Sequence, residues 1–401
     1  MTSDICKPLP LAAMNRRQFL RRTGLVSAAA VLGSLPQAQA ASKPEILGTR
    51  VISHQPQYYH GWPTLARRRN GQLLVVCSGG REQHVCPFGR VELMVSSDNG
   101  QTWGWPQVLL DSAIDDRDAG VLETARGTIL VTTFTSLAYE PTLEKAQKKK
   151  AGEAGAWPAE QLSAWQAAHQ RLTADQRRAE LGEWMVRSTD GGVTWSARYP
   201  TLVNSPHGPT QLADGRLLYA GKELWTQAQR VGVGESLDDG QTWRWLAEIP
   251  ARPGDDPKQY HELHAVEVGD SRIVVHIRNH NKPNAGETLQ TESADGGKTW
   301  SVPHPIGVWG LPSFLLRLRS GKLLMTYGHR RPPFGNQARL SEDHGRTWSE
   351  PLIISGDGAG GDLGYPSTVE LEDGSLLTIW YETLKSSPRA VLRQAHWRIS
   401  V

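Results

Sequence analysis

The apolar positions of this chain fall in short runs, each introduced by a turn. The pattern reads RRNGQLLVVC, ETARGTILVTTF, LADGRLLYAG, VGDSRIVVHI, LRSGKLLMTY and EDGSLLTIWY. A glycine opens five of the six, supplying the positive φ of a tight reversal; in the fourth, Asp270-Ser271 takes its place. Runs this short, bounded by turn residues and rich in Leu, Val and Ile, predict β-strands rather than helices.

A second repeat follows the first five runs: Ser-x-Asp-x-Gly-x-Thr-Trp. Its copies are SSDNGQTW (Ser96 to Trp103), STDGGVTW (Ser188 to Trp195), SLDDGQTW (Ser236 to Trp243), SADGGKTW (Ser293 to Trp300) and SEDHGRTW (Ser341 to Trp348). Each box predicts a hairpin turn in which the Asp accepts backbone N–H groups, the Gly reverses the chain, and Thr and Trp start the next strand. The Trp ring then covers apolar surface between sheets. Asp98, Asp190, Asp238, Asp295 and Asp343 are thus assigned to structure, since a calcium loop needs a second acidic cluster that the boxes lack. Six units of four short strands, about 48 residues apart, predict an all-β fold: a six-bladed β-propeller. The sixth unit runs from Gly364 to the C-terminus without a box. The strand-like segment Ile46 to His54 is expected to complete it and close the ring.

Leu137 to Gly182 departs from the repeat. EQLSAWQAAHQRL and TADQRRAELGEW carry helical spacing, with Thr173 as an N-cap. A small helical hairpin inserted in blade 2 (137–182) is expected, serving as a lid or rim, a neutral insertion, or a dimer contact.

The chain has 44 Lys+Arg against 41 Asp+Glu. Lys7, Arg16, Arg17, Arg21 and Arg22 fall in the first 40 residues against Asp4 alone, so the remainder is close to neutral. The basic balance therefore gives no argument for a nucleic-acid partner. NRRQFLRRTGLVSAAAVLGSLPQAQA pairs Arg16-Arg17 with a mild apolar run and Ala38-Gln39-Ala40. It resembles a twin-arginine signal peptide over 1–40, with Met14 as an alternative start. The expectation is a propeller over 41–401 that is periplasmic or secreted, with the twin-arginine export machinery as a partner. The apolar run is too short for a membrane anchor, and no other membrane segment is predicted. Cys77 and Cys86 are read either as a disulfide or as two buried thiols. No Cys/His spacing matches a zinc site, and no cofactor is expected.

In a propeller the first strand of every blade starts near the axis, where residues from all six blades converge. Collected there are Trp62, Arg81, Glu82, His84 and Arg90 from blade 1; Asp115, Asp116, Arg117 and Asp118 from blade 2; and His207, Lys222 and Glu223 from blade 3. Blade 4 adds His261, Glu262, His264, Arg278 and His280, blade 5 His329, Arg330 and Arg331, and blade 6 Asp362, Tyr365 and Glu382. So many Arg and His residues at one mouth point to an anionic ligand, because guanidinium forks match a carboxylate.

At this point the chain resembles a known family. The boxes are similar to the Asp boxes of sialidases and related six-bladed propeller glycosidases, over roughly Ile46 to Val401. HELHAVEVGDSRIVVHIRNH resembles the sialidase segment in which a Glu opens a strand and an Arg ends it, carrying over Glu262 and Arg278. GYPSTVELEDGSLLTIWYE resembles the segment holding the nucleophilic tyrosine and a closing Tyr-Glu pair, carrying over Tyr365 and Glu382. YGHRRPPFGNQARLSEDHG resembles the region of the third arginine of the carboxylate-binding triad, a part open to Arg330 or Arg331. Two departures stand out. Gly61-Trp62-Pro63 occupies the place of Arg-Ile-Pro, so the first triad arginine is missing, and GGREQHVCPFGR has no Asp where the acid/base belongs. Arg81, Arg90 or Arg117 are candidates for the lost arginine, and His84, Glu82, Asp116 or Asp118 for the acid. His207 and Trp62 complete the expected substrate wall. The resemblance implies a retaining exo-glycosidase acting on terminal acidic sugars of glycans, with Tyr365 as nucleophile and Glu262 as its base. Two other readings stay open: a lyase or different glycosidase acting on uronate-containing glycans, and a non-catalytic glycan-binding propeller.

Overall fold

A computed structural model of the chain describes residues 43–387 and 389–400. The leader expected over 1–40 lies outside them. Six four-stranded antiparallel sheets form the six blades. Blade 1 runs through Tyr59–Arg67, Leu73–Arg81, Arg90–Ser96 and Gln107–Leu110, and the next four blades follow in chain order. Blade 6 takes Leu363–Glu370, Leu376–Thr383 and Ala390–Ser400 from the end of the chain and Lys43–Val51 as its outermost strand. The expected closure by the early strand is therefore observed. It joins the two ends of the described chain through one ladder, Lys43 opposite Ser400 and Val51 opposite Arg393, with a bulge between Ile46 and Gly48.

The apolar runs are near-continuous because second strands are buried on both faces. Leu73, Val75 and Cys77 pack with Leu377, Ile379 and Leu392 of blade 6. Leu74 and Val76, on the opposite face of that strand, pack with Val121, Val131 and Val186 of blade 2. Alternation along one strand thus joins three blades, each such side chain contributing about 1.5–3 kcal/mol on burial.

The boxes share one hydrogen-bond scheme. In the first, Ser96 Oγ donates to Asp98 Oδ1 (2.7 Å) and accepts from the Gly100 N–H (2.9 Å), while Asp98 accepts from the Thr102 N–H (2.8 Å) and hydroxyl (2.5 Å). The other four repeat it at Asp190, Asp238, Asp295 and Asp343. These donors hold Asp98, Asp190 and Asp295 below the usual carboxylate range, outweighing the burial of Asp98. In four boxes the next strand begins four residues after the Trp, at Gln107, Tyr199, His304 and Leu352, so Thr and Trp belong to the turn rather than to the strand. The indoles brace blades: Trp103 Nε1 donates to Gln394 in blade 6 and Trp348 Nε1 to Gln290 in blade 4.

The insertion forms three helices, Glu140–Gln147, Ala159–Gln170 and Ala174–Ala179, rather than a hairpin. Thr173 caps the last as expected, in a reciprocal capping box with Gln176. Tyr139, Leu143 and Trp165 pack on Cys86 and Ile114, with Phe88 beside them, so the helices sit on the loop that follows the second strand of blade 1. Cys77 and Cys86 are both free and buried. Among the described residues no helix is long and apolar enough to cross a membrane.

Candidate active site

Four first strands carry the same defect near their start. The pairing slips between Gly61 and Thr64, Arg117 and Gly120, His261 and His264, and Gly364 and Ser367. Inside each bulge one non-glycine residue takes a positive φ: Trp62 (52°), Asp118 (42°), Glu262 (45°) and Tyr365 (53°). Bulges re-aim side chains, and left-handed backbone at bulky residues costs about 1–3 kcal/mol each. Four such residues at matching points of four blades mark the centre of the ring.

Three of the sequence candidates meet directly there. The Tyr365 hydroxyl donates to Glu262 Oε1, and Arg278 Nη1 donates to Glu262 Oε2 (2.5 Å) and to Tyr365 Oη (3.2 Å). Arg278 Nε donates to His280 Nε2 (2.7 Å). Burial disfavours the Glu262 charge, but Arg278 and the Tyr365 hydroxyl outweigh it and hold the carboxyl down at about 2. Tyr365 is pushed well above its ordinary value, by burial first and by the Glu262 charge second. Burial likewise disfavours the Arg278 cation, and Glu262 more than offsets it. Asp118 is pushed up to about 7 by burial and then by Glu262, against the pull of Arg117, Arg278 and Arg81. Near neutral pH it therefore carries a proton part of the time, as a donor beside an ionised carboxylate.

The arginines sort themselves by what they touch. Arg330 lies over the Tyr365 ring, its Cζ 5.8 Å from the centroid, with Nε on the Leu363 carbonyl. Arg117 lies over Trp62 at 4.5 Å. Arg278 and Arg330 thus bear directly on the Tyr365–Glu262 pair, while Arg117 favours the charge of the neighbouring Asp118. A Cβ at Gly61 would meet Tyr59 Cε1 at 3.0 Å, so a side chain there would require the Tyr59 ring to give way.

Several candidates belong elsewhere. Arg331 is exposed and stacks on Trp309 of blade 4 (3.6 Å), turned away from Tyr365. Arg81 is fully buried in a bidentate pair with Asp115 (2.6 and 2.9 Å), so its fork is already filled. Arg90 is held by Glu92 within blade 1 (2.7 Å). His207 is not an open substrate contact. It is buried beneath the site, 6.5 Å from the Tyr365 ring and against His264 and Phe314, where it lines an axial cavity of about 460 Å³ entered from the opposite face. Burial pushes its pKa down to about 3. Trp62 is 1 % exposed and forms the floor under Arg117 rather than a wall. Glu82 accepts from Trp165 of the insertion, and Asp116 accepts from the Ser112 N–H. Glu382 faces the blade interior with Trp380 and Arg393.

The sequence reading did not select Tyr59 and Tyr381. Both hydroxyls donate to Asp362 (3.0 Å each), which also meets His84 Nδ1 (3.0 Å). The signal was strand alternation: Tyr381 and Glu382 are neighbours in one strand and must face opposite ways. Among the described residues no group of three or more His, Cys, Asp or Glu is arranged to hold a metal ion.

Known proteins resemble this chain in sequence and in fold. The profile of the BNR repeat-like domain family matches residues 135–378. A sialidase of Paraclostridium sordellii is 23 % identical over 271 residues, which are 62 % of this chain and 58 % of that protein, so the chain spans little more than half the length of this curated relative. A protein of unknown function from Dyadobacter fermentans superposes with a TM-score of 0.70 at 21 % identity, covering 89 % of this chain and 99 % of the other. The intramolecular trans-sialidase of Ruminococcus gnavus superposes with a TM-score of 0.59 at 14 % identity, covering 89 % and 97 %. These likenesses in structure concern the fold, a six-bladed propeller shared with sialidases, whereas the match over more than half of the sequence concerns the family: this chain belongs to the BNR repeat-like domain family.

Proposed function

We propose that this protein is a retaining exo-glycosidase of the sialidase type, removing terminal acidic, sialic-acid-like sugars from glycans. The observation that carries the proposal is the contact of Tyr365, Glu262 and Arg278 at the axis. A sugar with a carboxylate on its anomeric carbon repels a carboxylate nucleophile. A phenol meets no such repulsion, but it titrates at about 10 when free and needs a base. Glu262 is already the acceptor of the Tyr365 proton.

In the free protein Glu262 is a weak base because Arg278 neutralises it. A substrate carboxylate entering between Arg278, Arg330 and Arg117 competes for the same guanidinium. As Arg278 turns toward the substrate, Glu262 loses part of its counter-charge and its affinity for the phenolic proton rises. Substrate binding and nucleophile activation are thus one exchange of ion pairs. Asp118, in its protonated form, is placed to donate to a substrate oxygen beside Glu262. The leader places this activity, within the same proposal, in the periplasm or outside the cell.

The test is a release assay over glycans ending in 2-keto acid sugars and in uronates, with anomeric configuration followed by NMR. Retention, and a loss of about 10³-fold or more in kcat for Tyr365→Phe, are the expected results. Turnover of Tyr365→Phe within about tenfold of wild type, a barrier change of about 1.4 kcal/mol, overturns the nucleophile assignment. An unsaturated, ultraviolet-absorbing product points to the lyase instead.

A further inference from the structure

We propose that His84, oriented by Asp362, is the proton-transfer group that serves the leaving oxygen, and that the helical insertion exists to hold it in place. The inference rests on the glycosidase proposal above and adds to it the residue that takes over from the absent acid/base aspartate.

The geometry assigns the tautomer. Asp362 accepts from the hydroxyls of Tyr59 (3.0 and 3.1 Å) and Tyr381 (3.0 Å) and lies 3.0 Å from His84 Nδ1. Burial opposes the Asp362 charge, but the contacts with His84 and the two phenols hold its carboxyl below the ordinary value, so it is an acceptor. His84 Nδ1 therefore carries a hydrogen toward Asp362 and Tyr59 Oη (2.9 Å), leaving Nε2 for exchange. Nε2 faces the site, where it accepts from Arg117 Nη2 (3.5 Å) until a substrate carboxylate takes that guanidinium, and the ring stands edge-on to Trp62 at 4.9 Å. Trp62 in turn packs against Tyr365.

Position separates His84 from Asp118. A proton donor to the leaving group must stand where the aglycone departs, away from the nucleophile. Asp118 is 7 % exposed and coupled to Glu262 on the nucleophile side, whereas the His84 side chain is 46 % exposed at the rim.

A rim loop needs support, and three contacts give it. Arg81 Nη2 donates to the His84 carbonyl (2.9 Å) from its buried pair with Asp115. Trp165 of the insertion donates to Glu82 Oε2 (2.7 Å), and its ring packs on Phe88 at 6.1 Å. Residues 82–88 are thus clamped between blade 2 and the insertion. Asp362, Glu82 and Trp165 act through His84 and are positioning residues.

The steps balance. In the first, the bond from the anomeric carbon to Tyr365 Oη forms as the bond to the leaving oxygen breaks; the phenolic proton passes to Glu262, and the proton on His84 Nε2 passes to the leaving oxygen. In the second, water attacks the anomeric carbon and gives a proton to His84 Nε2, while Tyr365 Oη leaves and regains its proton from Glu262.

The experiment compares 4-methylumbelliferyl and methyl glycosides of N-acetylneuraminic acid with the full chain. An aryl leaving group needs little protonation and an alkyl one needs it fully. His84→Asn is expected to lose about 10²–10⁴-fold on the methyl glycoside, and at least 30-fold less on the aryl glycoside. Equal losses on both overturn the proposal. Asp362→Asn is expected to move the alkaline limb of kcat/KM downward by about one pH unit, and Trp165→Phe to lower kcat on the methyl glycoside with KM kept. An unmoved limb overturns the role of Asp362. NMR titration of the His84 ring in wild type and Asp362→Asn decides the pairing even if neither glycoside is turned over: the midpoint falls if the pair is real, and an unchanged midpoint overturns it. Failure of the tyrosine assignment shows differently, as a Tyr365→Phe variant that stays active while His84→Asn still discriminates between leaving groups.

Discussion

Glu262→Gln should destabilise the protein at pH 7 and hardly at all in strong acid. The native carboxyl sits at about 2 against an ordinary 4.5, with its side chain only 17 % exposed beside Arg278 at 14 %. At about 1.4 kcal/mol per pH unit, that difference is on the order of 3 kcal/mol. The sign follows from the depressed value: the contribution is complete above the unfolded pKa near 4.5 and is lost as pH falls through the folded pKa near 2. Asp118 works the other way. Its carboxyl is raised partly by Glu262, so removing that charge lets it ionise more easily and returns some stability at pH 7. The net expectation is a loss of about 1–3 kcal/mol at pH 7, seen as a Tm lower by several degrees, shrinking steadily between pH 4.5 and 2. Thermal unfolding of both proteins, followed by circular dichroism from pH 7 to pH 2, measures it. A gap that stays constant over this range, or a variant more stable than wild type at pH 7, would falsify the claim that Arg278 and Glu262 stabilise each other through charge.

Arg330→Ala should raise KM for an acidic substrate by at least tenfold, and Arg331→Ala by less than twofold, because Arg331 lies on Trp309; steady-state kinetics of the two variants separate them. Ser236→Ala should cost about 1–2 kcal/mol by stranding the Gly240 N–H of the third box, with turnover per folded molecule unchanged; urea denaturation and an activity assay check the two halves. Cys77 and Cys86 should resist iodoacetamide in the native protein and react on unfolding, since both are buried and burial raises the Cys77 thiol well above its ordinary value; mass spectrometry of the alkylated peptides reads this.

The amino-acid order alone determined the repeating unit. A Gly turn, a run of alternating apolar residues and an Asp box are local features, and each fixes its own hairpin whatever surrounds it. Because one blade cannot cover its own faces, six repeats also dictated a closed ring. Place in the repeat gathered Glu262, Arg278 and Tyr365 with the other polar residues of the blade mouths, and the resemblance to sialidase segments singled them out as candidates. The partners a residue finds across blades were not legible, because they depend on side chains from different repeats meeting where the blades pack. Only the tertiary structure could choose Arg330 over Arg331, which differ by one position and point to opposite neighbours. It also consigned Arg81 to a buried pair with Asp115, set the Tyr59 ring against Gly61, and brought Asp362 of the last blade against His84 of the first. That last contact exists because the ring closes, and ring closure places the first and last described strands side by side.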